Sequence, residues 1–215
     1  MFHNRRHAGE RLAALLDRYR AQPKTIVLAL PRGGVPVGAA IASELQLPLD
    51  VLPVRKLGAP TQPEYAIGAI AGESVLVLNH RAIASMHVSK QALDEAVTRE
   101  REELHRREQI YRGNRLPLAL AAWTAILIDD GLATGFTMLA AIRAIREQRP
   151  AKIVIAVPVA PPATLDRMAQ EADEAVAVLT TEDLFAVGQF YADFSQVSDE
   201  EVQAILRRPA FEGTS

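Results

Sequence analysis

Apolar residues along the chain are concentrated in short, almost uninterrupted runs that are separated by longer segments of mixed character. Five runs stand out, at residues 25–30, 49–54, 125–128, 152–159 and 175–179. Runs of this length between turn residues are typical of strands that are buried on both faces. The intervening segments are rich in alanine or carry apolar residues at helical spacing. Because strand and helix alternate from Thr25 onward, the pattern predicts an α/β fold with a doubly wound, mainly parallel sheet.

Further segments fall outside this alternation. Residues 6–20 have the apolar spacing of an amphipathic helix, and residues 89–112 form a long, highly charged helix with several possible i,i+4 ion pairs. Residues 66–71 and 74–78 are predicted to form two short antiparallel strands that pair around Gly72. A final helix is predicted from Ser198, which suits a cap, to about Arg207.

Two adjacent acids, Asp129 and Asp130, follow the central apolar run directly. A charged carboxylate at the buried end of a strand costs free energy unless a partner or a ligand binds it. The next residues, 131–137, bring backbone amides and the hydroxyls of Thr134 and Thr137 to a helix N-terminus, which favours an anion. Taken alone, the acids could be a helix cap and Thr134-Gly135 a turn. The unbroken order of strand, acids, small loop and helix favours a ligand with hydroxyls and phosphate, such as a sugar phosphate.

A second loop of the same kind follows the first apolar run. Arg32, Gly33 and Gly34 connect that run to an alanine-rich segment. Adjacent glycines allow the backbone to approach a ligand closely, and an arginine offers a forked donor for phosphate oxygens. The alternative is a structural turn with Pro36 as the first helical residue.

Arg55 and Lys56 follow the run at residues 49–54, so the sequence places two cations at the tip of a third strand. They could equally be solvated surface charges. Whether these two cations have a function depends on what binds to the two loops at residues 32–34 and 131–137, which we call the anion loops.

The segment from Ile126 to Thr137, Ile-Leu-Ile-Asp-Asp-Gly-Leu-Ala-Thr-Gly-Phe-Thr, resembles the phosphoribosyl-pyrophosphate (PRPP) signature of the type I phosphoribosyltransferases. The resemblance implies that Asp129 and Asp130 address the ribose hydroxyls and residues 133–137 surround the 5′-phosphate, while the Arg32 loop holds pyrophosphate. The implied substrate-binding residues are Arg32, Gly33, Gly34, Asp129, Asp130, Gly131, Ala133, Thr134, Gly135, Phe136 and Thr137.

The same resemblance implies an activity, namely transfer of the 5-phosphoribosyl group from PRPP to a nitrogenous, nucleobase-like acceptor with release of pyrophosphate. Asp129 and Asp130 would support the sugar cation, while Arg55 and Lys56 would take charge from the leaving group. Mg²⁺ would bind with PRPP and reach the two aspartates only indirectly. Ala133 occupies the position of an acidic residue in relatives that act on hypoxanthine or guanine, which counts against those acceptors, and Phe136 is a second departure from many relatives.

The resemblance also implies how the chain is divided. Residues 1–215 would form a single phosphoribosyltransferase-like domain, with a flap or insertion at 57–115 and a C-terminal hood at 181–215. The hood contains the aromatic residues Phe185, Phe190, Tyr191 and Phe194. Such a cluster is usually core or dimer surface, which makes a homodimer a reasonable expectation, and the alternative is a lid over a planar acceptor.

Composition narrows the class of protein. Apolar residues make up 49% of the chain, which is ordinary for a globular fold, and a net charge of -2 gives no reason to expect nucleic acid or a membrane as partner. With no cysteine, disulfides and thiolate sites are excluded. The first residues lack the apolar core of a signal peptide and no run has membrane-spanning length, so the expected location is cytoplasmic.

Three other functions remain open at this point. The same loops would serve a regulatory protein that binds PRPP or a nucleotide without chemistry. A hydrolase or phosphatase with Asp129 as nucleophile is a further alternative, although the turn after Asp130 is unsuited to it. A PRPP synthetase is less favoured, because members of that family are longer and contain two such domains.

Overall fold

The computed structural model describes residues 1–72, 74–113 and 118–207. Its helices are α1 (Arg5–Leu15), α2 (Gly34–Leu45), α3 (His80–Ser85), α4 (Lys90–Arg112), α5 (Phe136–Arg146), α6 (Pro162–Glu171) and α7 (Asp199–Arg207). Its strands are β1 (Thr25–Ala29), β2 (Leu49–Val51), β3 (Val54–Ala59), β4 (Gln62–Ala71), β5 (Val75–Leu78), β6 (Thr124–Ile128), β7 (Lys152–Ala160) and β8 (Glu174–Thr180). Short 3-10 turns occur at Asp17–Tyr19 and Val187–Phe190.

The central sheet has five parallel strands in the order β2-β1-β6-β7-β8. Strand β1 lies between β2, which follows it in sequence, and β6, to which the chain returns much later. The strand order therefore reverses between β1 and β6. In open α/β sheets, ligands bind at such a reversal, outside the carboxyl ends of the strands. The predicted fold class is confirmed, and the sheet presents its crevice between the two strands that precede the predicted anion loops.

Alternate residues of the central strands face opposite layers, as strands buried on both sides require. One face packs under α1 and α2 through Val27, Ile126, Ile128, Val154 and Ala156. The other face packs under α5 through Ile26, Leu28, Ala125, Leu127, Ile153 and Ile155. These side chains are almost fully buried, and each buried Val, Leu or Ile contributes about 1.5–3 kcal/mol of transfer free energy. The core thus fixes the strand ends on which the candidate site is built.

Strands β3, β4 and β5 form a second, antiparallel sheet. The pairing of Ala71 with Val75 confirms the predicted antiparallel pair of strands around Gly72. The prediction of one strand over residues 49–54 is wrong, because β2 ends at Val51 and β3 starts at Val54 in the other sheet. Pro53, which has no backbone N–H to donate, lies between the two strands. Arg55 and Lys56 consequently lie within β3 rather than at the tip of a strand of the central sheet.

The remaining helices follow the sequence closely. The charged helix α4 is capped by Ser89, whose side chain accepts a hydrogen bond from the amide of Ala92, and the six-residue helix α3 was not predicted. The division into a flap at 57–115 and a hood at 181–215 stays a prediction, and residues 73, 114–115 and 208–215 of those ranges lie outside the described residues. Within the described ranges, no helix combines the length and apolar character that a membrane span needs.

Candidate functional site

The loops after β1 and β6 meet at the carboxyl edge of the central sheet. The amide of Leu30 donates to the carbonyl of Ile128 at 2.8 Å, which ties the two strand ends together. Beyond that bond the loops are in direct contact, because a β-carbon added to Gly33 would lie 1.9 Å from Oδ2 of Asp130. Two loops predicted separately from the sequence therefore form one surface.

Gly33 and Gly34 are required by this close approach. Gly33 has φ −60° and ψ −35°, values that any residue adopts, so the turn does not demand glycine for its dihedral angles. At Gly34 a β-carbon would lie 2.6 Å from the carbonyl oxygen of Ile128. The sequence predicted that these glycines allow close approach by a ligand, and close contact with the neighbouring strand end is the further reason that the structure gives.

Asp129 and Asp130 are half-buried side by side at the end of β6. Oδ1 of Asp129 accepts a hydrogen bond from the amide of Asp130 at 2.8 Å. Burial, followed by the negative charge of Asp130, raises the pKa of Asp129 well above its usual range. Burial also raises the pKa of Asp130, and the guanidinium of Arg5 opposes that shift. Keeping both carboxylates charged therefore costs folding free energy. Groups with such perturbed pKa values are concentrated at functional sites.

Arg5, the first residue of α1, is the ion-pair partner of Asp130. Its Nε donates to Oδ2 at 2.8 Å, and the two side chains are only 11% and 15% exposed. Its Nη1 donates to the carbonyl of Ser195 at 2.8 Å, and its guanidinium carbon lies 3.9 Å from the ring centroid of Phe194. Arg5 therefore connects the first helix, the aromatic segment and the candidate site.

Tyr191 also reaches Asp130, since its hydroxyl donates to the Asp130 carbonyl at 2.6 Å. Burial, then the charge of Asp130, raises the pKa of Tyr191, so the hydroxyl stays a donor. It is brought there by pairing between the two terminal segments, in which the amide of Phe2 donates to the carbonyl of Phe190 at 2.7 Å. The expectation that the aromatic segment is core holds for Tyr191, which is 6% exposed, whereas Phe185 is 92% exposed.

The loop from Gly131 to Gly135 is held from outside by α6. Thr164 donates to the carbonyl of Ala133 at 3.1 Å, and Arg167 donates to the carbonyl of Thr134. In a trans peptide the amide points away from the carbonyl of the preceding residue, so the amides of Thr134 and Gly135 are directed away from α6.

The loop thereby presents donors at the start of α5. Gly135 has φ +76°, in the left-handed region that favours glycine. Within the described ranges, the amides of Thr134, Gly135 and Thr137 have no carbonyl or side-chain acceptor. Unpaired amides at the N-terminus of an eleven-residue helix, with two threonine hydroxyls beside them, form an arrangement that binds phosphate.

Arg32 immediately precedes Gly33 in the loop after β1, and its side chain is about a quarter exposed. Nη1 of Arg32 is 3.8 Å from Oδ1 of Asp199, the first residue of α7. Asp199 also accepts a hydrogen bond from the hydroxyl of Tyr111 and lies 3.8 Å from Arg106. The guanidinium of Arg32 is thus near an acid at a distance too long for a hydrogen bond, and an anion could replace that partner.

Arg55 and Lys56 lie on β3, and the contacts of Arg55 lead to helix α4 rather than to the two loops. Arg55 is a quarter exposed and donates to Glu100 of α4 through both Nε and Nη2. The side chain of Lys56 is exposed, and both residues line a cleft between β3 and α4. The structure therefore brings together the residues from β1 and β6 and leaves Arg55 and Lys56 on the second sheet.

No cluster of three or more His, Asp or Glu side chains that could hold a metal ion occurs in the described ranges. Asp129 and Asp130 provide only two carboxylates, and Mg²⁺ is commonly bound with substrate phosphates and water rather than by an all-protein cage. The residues present therefore fit an ion that arrives with its ligand rather than one caged by the protein.

Sequence reasoning did not identify Arg5, Thr164, Arg167 or Asp199 as neighbours of the site. Arg5 directly precedes the amphipathic helix predicted at residues 6–20, and nothing in the apolar spacing of that helix distinguishes it. The cluster of aromatic residues around Tyr191 was the only local signal for the second segment that contacts Asp130.

Comparison with known sequences gives one family and several relatives. The family described as "Phosphoribosyl transferase domain" matches residues 2–193. A Mycobacterium tuberculosis H37Rv protein, Rv0571c, which is named provisionally as a phosphoribosyl transferase, is 44% identical over 208 residues, or 97% of this chain. The match covers 47% of that protein, so the chain spans about half the length of the curated relatives it matches.

Solved structures show the same architecture. TT1426 from Thermus thermophilus is 41% identical, with a TM-score of 0.77 over 96% of this chain and 97% of that one. AQ2163 from Aquifex aeolicus is 13% identical, with a TM-score of 0.53 over 94% of this chain and 85% of that one, and supports the fold alone.

Proposed function

The chain belongs to the phosphoribosyl transferase domain family, and on that premise we propose that it transfers the 5-phosphoribosyl group of PRPP to a nitrogenous acceptor. The observation that carries the proposal is the contact between Gly33 and Asp130. It unites an acid pair suited to a diol, unpaired amides suited to a phosphate, and an arginine loop suited to a second phosphate group.

Each end of PRPP has a counterpart in this surface. The carboxylates of Asp129 and Asp130 accept hydrogen bonds from the ribose hydroxyls. The amides and hydroxyls of residues 134–137 take the 5′-phosphate, at the positive end of α5. The backbone of Gly33 and Gly34 and the side chain of Arg32 take the pyrophosphate, for which Arg32 exchanges its long contact with Asp199.

In the reaction the bond between C1 of the ribose and the pyrophosphate oxygen breaks, and a bond forms between C1 and the acceptor nitrogen, whose proton passes to water. Positive charge develops on the sugar, and the negative charges of Asp129 and Asp130 favour it. Asp129 and Asp130 would hold Mg²⁺ only indirectly, through PRPP, and the ion would supply positive charge to the leaving pyrophosphate. The contribution of this chain is orientation of both ends of the donor, which can supply a large part of the rate acceleration.

Arg55 and Lys56 are proposed as additional charges for the pyrophosphate end, which requires the second sheet to bring them to the Arg32 loop. For the acceptor, Ala133 supports a ring other than hypoxanthine or guanine, because its exposed methyl group offers no partner to an oxo-purine. A nucleobase-like ring or a small amine remains the proposed class.

The test is release of pyrophosphate from PRPP and Mg²⁺ by the purified protein, measured against a panel of nucleobases and small amines. Acceptor-dependent release that falls by two or more orders of magnitude in Asp130→Asn and Arg32→Ala would support the transferase. Tight PRPP binding without turnover on any acceptor would instead favour a regulatory binding protein. Equal activity in the wild type and both variants would show that the site lies elsewhere.

A further inference from the structure

We propose that Arg5 is a positioning residue for the sugar end of the donor, which it serves by holding the carboxylate of Asp130 in one orientation. The inference rests on the proposed function and extends it to a residue outside both motif loops. The family signature ends at Thr137, whereas Arg5 belongs to the first helix and meets Asp130 across 125 positions of sequence.

Arg5 uses two nitrogens and the planar face of its guanidinium group in this arrangement. Nε donates to Asp130, Nη1 donates to the carbonyl of Ser195, and the planar face lies over the ring of Phe194. A side chain held at three places, and only 11% exposed, has little freedom to leave. The group it contacts is therefore presented in a fixed geometry.

The contact uses one oxygen of Asp130 and leaves the other. Oδ2 accepts from Arg5, while Oδ1 has no hydrogen-bond partner on another residue in the described part of the chain. Because a carboxylate is planar, fixing Oδ2 also fixes where Oδ1 points. A ligand hydroxyl consequently meets an acceptor that is already oriented, so less conformational entropy is lost on binding.

Charge gives a second reason for the arginine. Asp129 and Asp130 are adjacent acids. Without a cation the two carboxylates would repel each other, which would disturb the orientation of Asp130. Arg5 offsets one of the two charges from the side of α1, while Asp129 keeps its own bond to the Asp130 amide.

A lysine could not reproduce the arrangement. Its ammonium could reach Asp130 or the carbonyl of Ser195, but it has no planar fork to bind both and stack on Phe194. The alternative role for Arg5 is purely structural, a tie between α1 and the end of β6. The two roles differ in which ligand groups they affect.

The experiment compares two small probes by isothermal titration calorimetry. Ribose 5-phosphate carries the ring hydroxyls, and tetrahydrofurfuryl phosphate keeps the ring and phosphate without them. If Arg5 positions Asp130, the wild type prefers ribose 5-phosphate, and Arg5→Ala reduces that preference about tenfold or more, the size of a lost hydrogen bond to a charged group. Binding of tetrahydrofurfuryl phosphate should change much less. The unfolding temperature should fall, because Arg5→Ala also removes the contacts with Ser195 and Phe194, so the preference between the two probes is the deciding measurement.

Arg6→Ala is the matched control, since Arg6 is the next residue of the same helix, is 82% exposed and pairs with Glu10. It should leave the preference unchanged. Arg5→Lys, which keeps the charge, and Phe194→Leu, which keeps an apolar cover, should each give an intermediate preference. These two variants also decide the question if Arg5→Ala does not fold.

Equal weakening of both probes by the Arg5 variants, with the preference intact, would overturn the inference and leave Arg5 as a structural tie. A wild type that binds PRPP but shows no preference for ribose 5-phosphate would also overturn it. A wild type that binds neither PRPP nor ribose 5-phosphate would instead contradict the proposed function itself, so the two failures are distinguishable.

Discussion

Glu100 engages Arg55 through a single oxygen, Oε2, which lies 2.9 Å from Nε and 2.7 Å from Nη2. The pair joins helix α4 to strand β3, and both side chains are largely covered. An arginine that is proposed to neutralise pyrophosphate is thus held by a carboxylate that competes for the same donors. Pyrophosphate and Glu100 should therefore act against each other.

The first prediction follows from this competition. Glu100→Gln removes the competing charge and should tighten binding of Mg-pyrophosphate several-fold, whereas Arg55→Ala should weaken it by about tenfold. Calorimetric titration with Mg-pyrophosphate measures both. Glu95→Gln, which lines the same cleft, is the control. If neither Glu100→Gln nor Arg55→Ala changes the affinity, Arg55 is a structural residue that binds α4 to the second sheet.

The second prediction concerns the packing of the two loops. A methyl group in Gly33→Ala would meet the Asp130 carboxylate and should displace it from Arg5, so PRPP binding should fall by about tenfold or more with a modest loss of stability. In Gly34→Ala the methyl group would meet the backbone of Ile128 and Asp129, and should lower the free energy of unfolding by about 1–3 kcal/mol.

Chemical denaturation and PRPP titration of the two glycine variants check this contrast. Wild-type affinity in Gly33→Ala would mean that Asp130 does not contribute to binding in the orientation described.

The third prediction concerns the cost of the acid pair. The pKa of Asp129 is raised in the folded state, so the charged form is destabilising above the unfolded pKa, and this cost is relieved as the pH falls through the folded pKa. Asp129→Asn keeps an acceptor for the Asp130 amide and should raise the free energy of unfolding at pH 7 by about 0.5–2 kcal/mol while it abolishes PRPP binding.

Denaturation of Asp129→Asn between pH 5 and 8 should show a weaker decline of stability with rising pH than the wild type. The exposed Asp166→Asn is the control. A variant that is less stable than the wild type at pH 7 would mean that the carboxylate is needed by the fold itself.

The fourth prediction concerns helix α4. Hydrogen bonds from Arg106, and then from Arg107, lower the pKa of Glu103 from 4.5 to about 2. A lowered carboxyl pKa stabilises the fold above the unfolded pKa, and that stabilisation is lost as the pH falls from about 4.5 towards 2. Glu103→Gln should cost about 1 kcal/mol at pH 7, as expected for two partly exposed ion pairs.

At pH 2 most of the difference between Glu103→Gln and the wild type should be lost, as measured by urea denaturation at both pH values. Glu102→Gln, at the neighbouring exposed position, should show no such convergence. A constant deficit at both pH values would assign the effect to packing.

The central sheet and its two loops could be predicted from the sequence because their signals are local. The run that ends at Ile128, the acids behind it and the glycines of the second loop each lie within a few residues of one another. Arg5 could not be predicted as part of the site, because its contact with Asp130 depends on how two distant segments pack. Arg55 was assigned to the wrong strand even though Pro53 signalled the break, since the apolar run is continuous across it in the sequence.

The pairing of Phe2 with Tyr191 has a consequence for the order in which the protein acquires its binding surface. Asp130 gains its outer partners Arg5 and Tyr191 across 125 and 61 positions of sequence, and the two segments that carry them pair with each other across nearly the whole chain. Contacts of such large sequence separation form late, after the local elements and the adjacent strands. Ligand affinity gained during refolding should therefore trail the recovery of helical circular dichroism, which makes sugar phosphate binding a reporter of the final folding step.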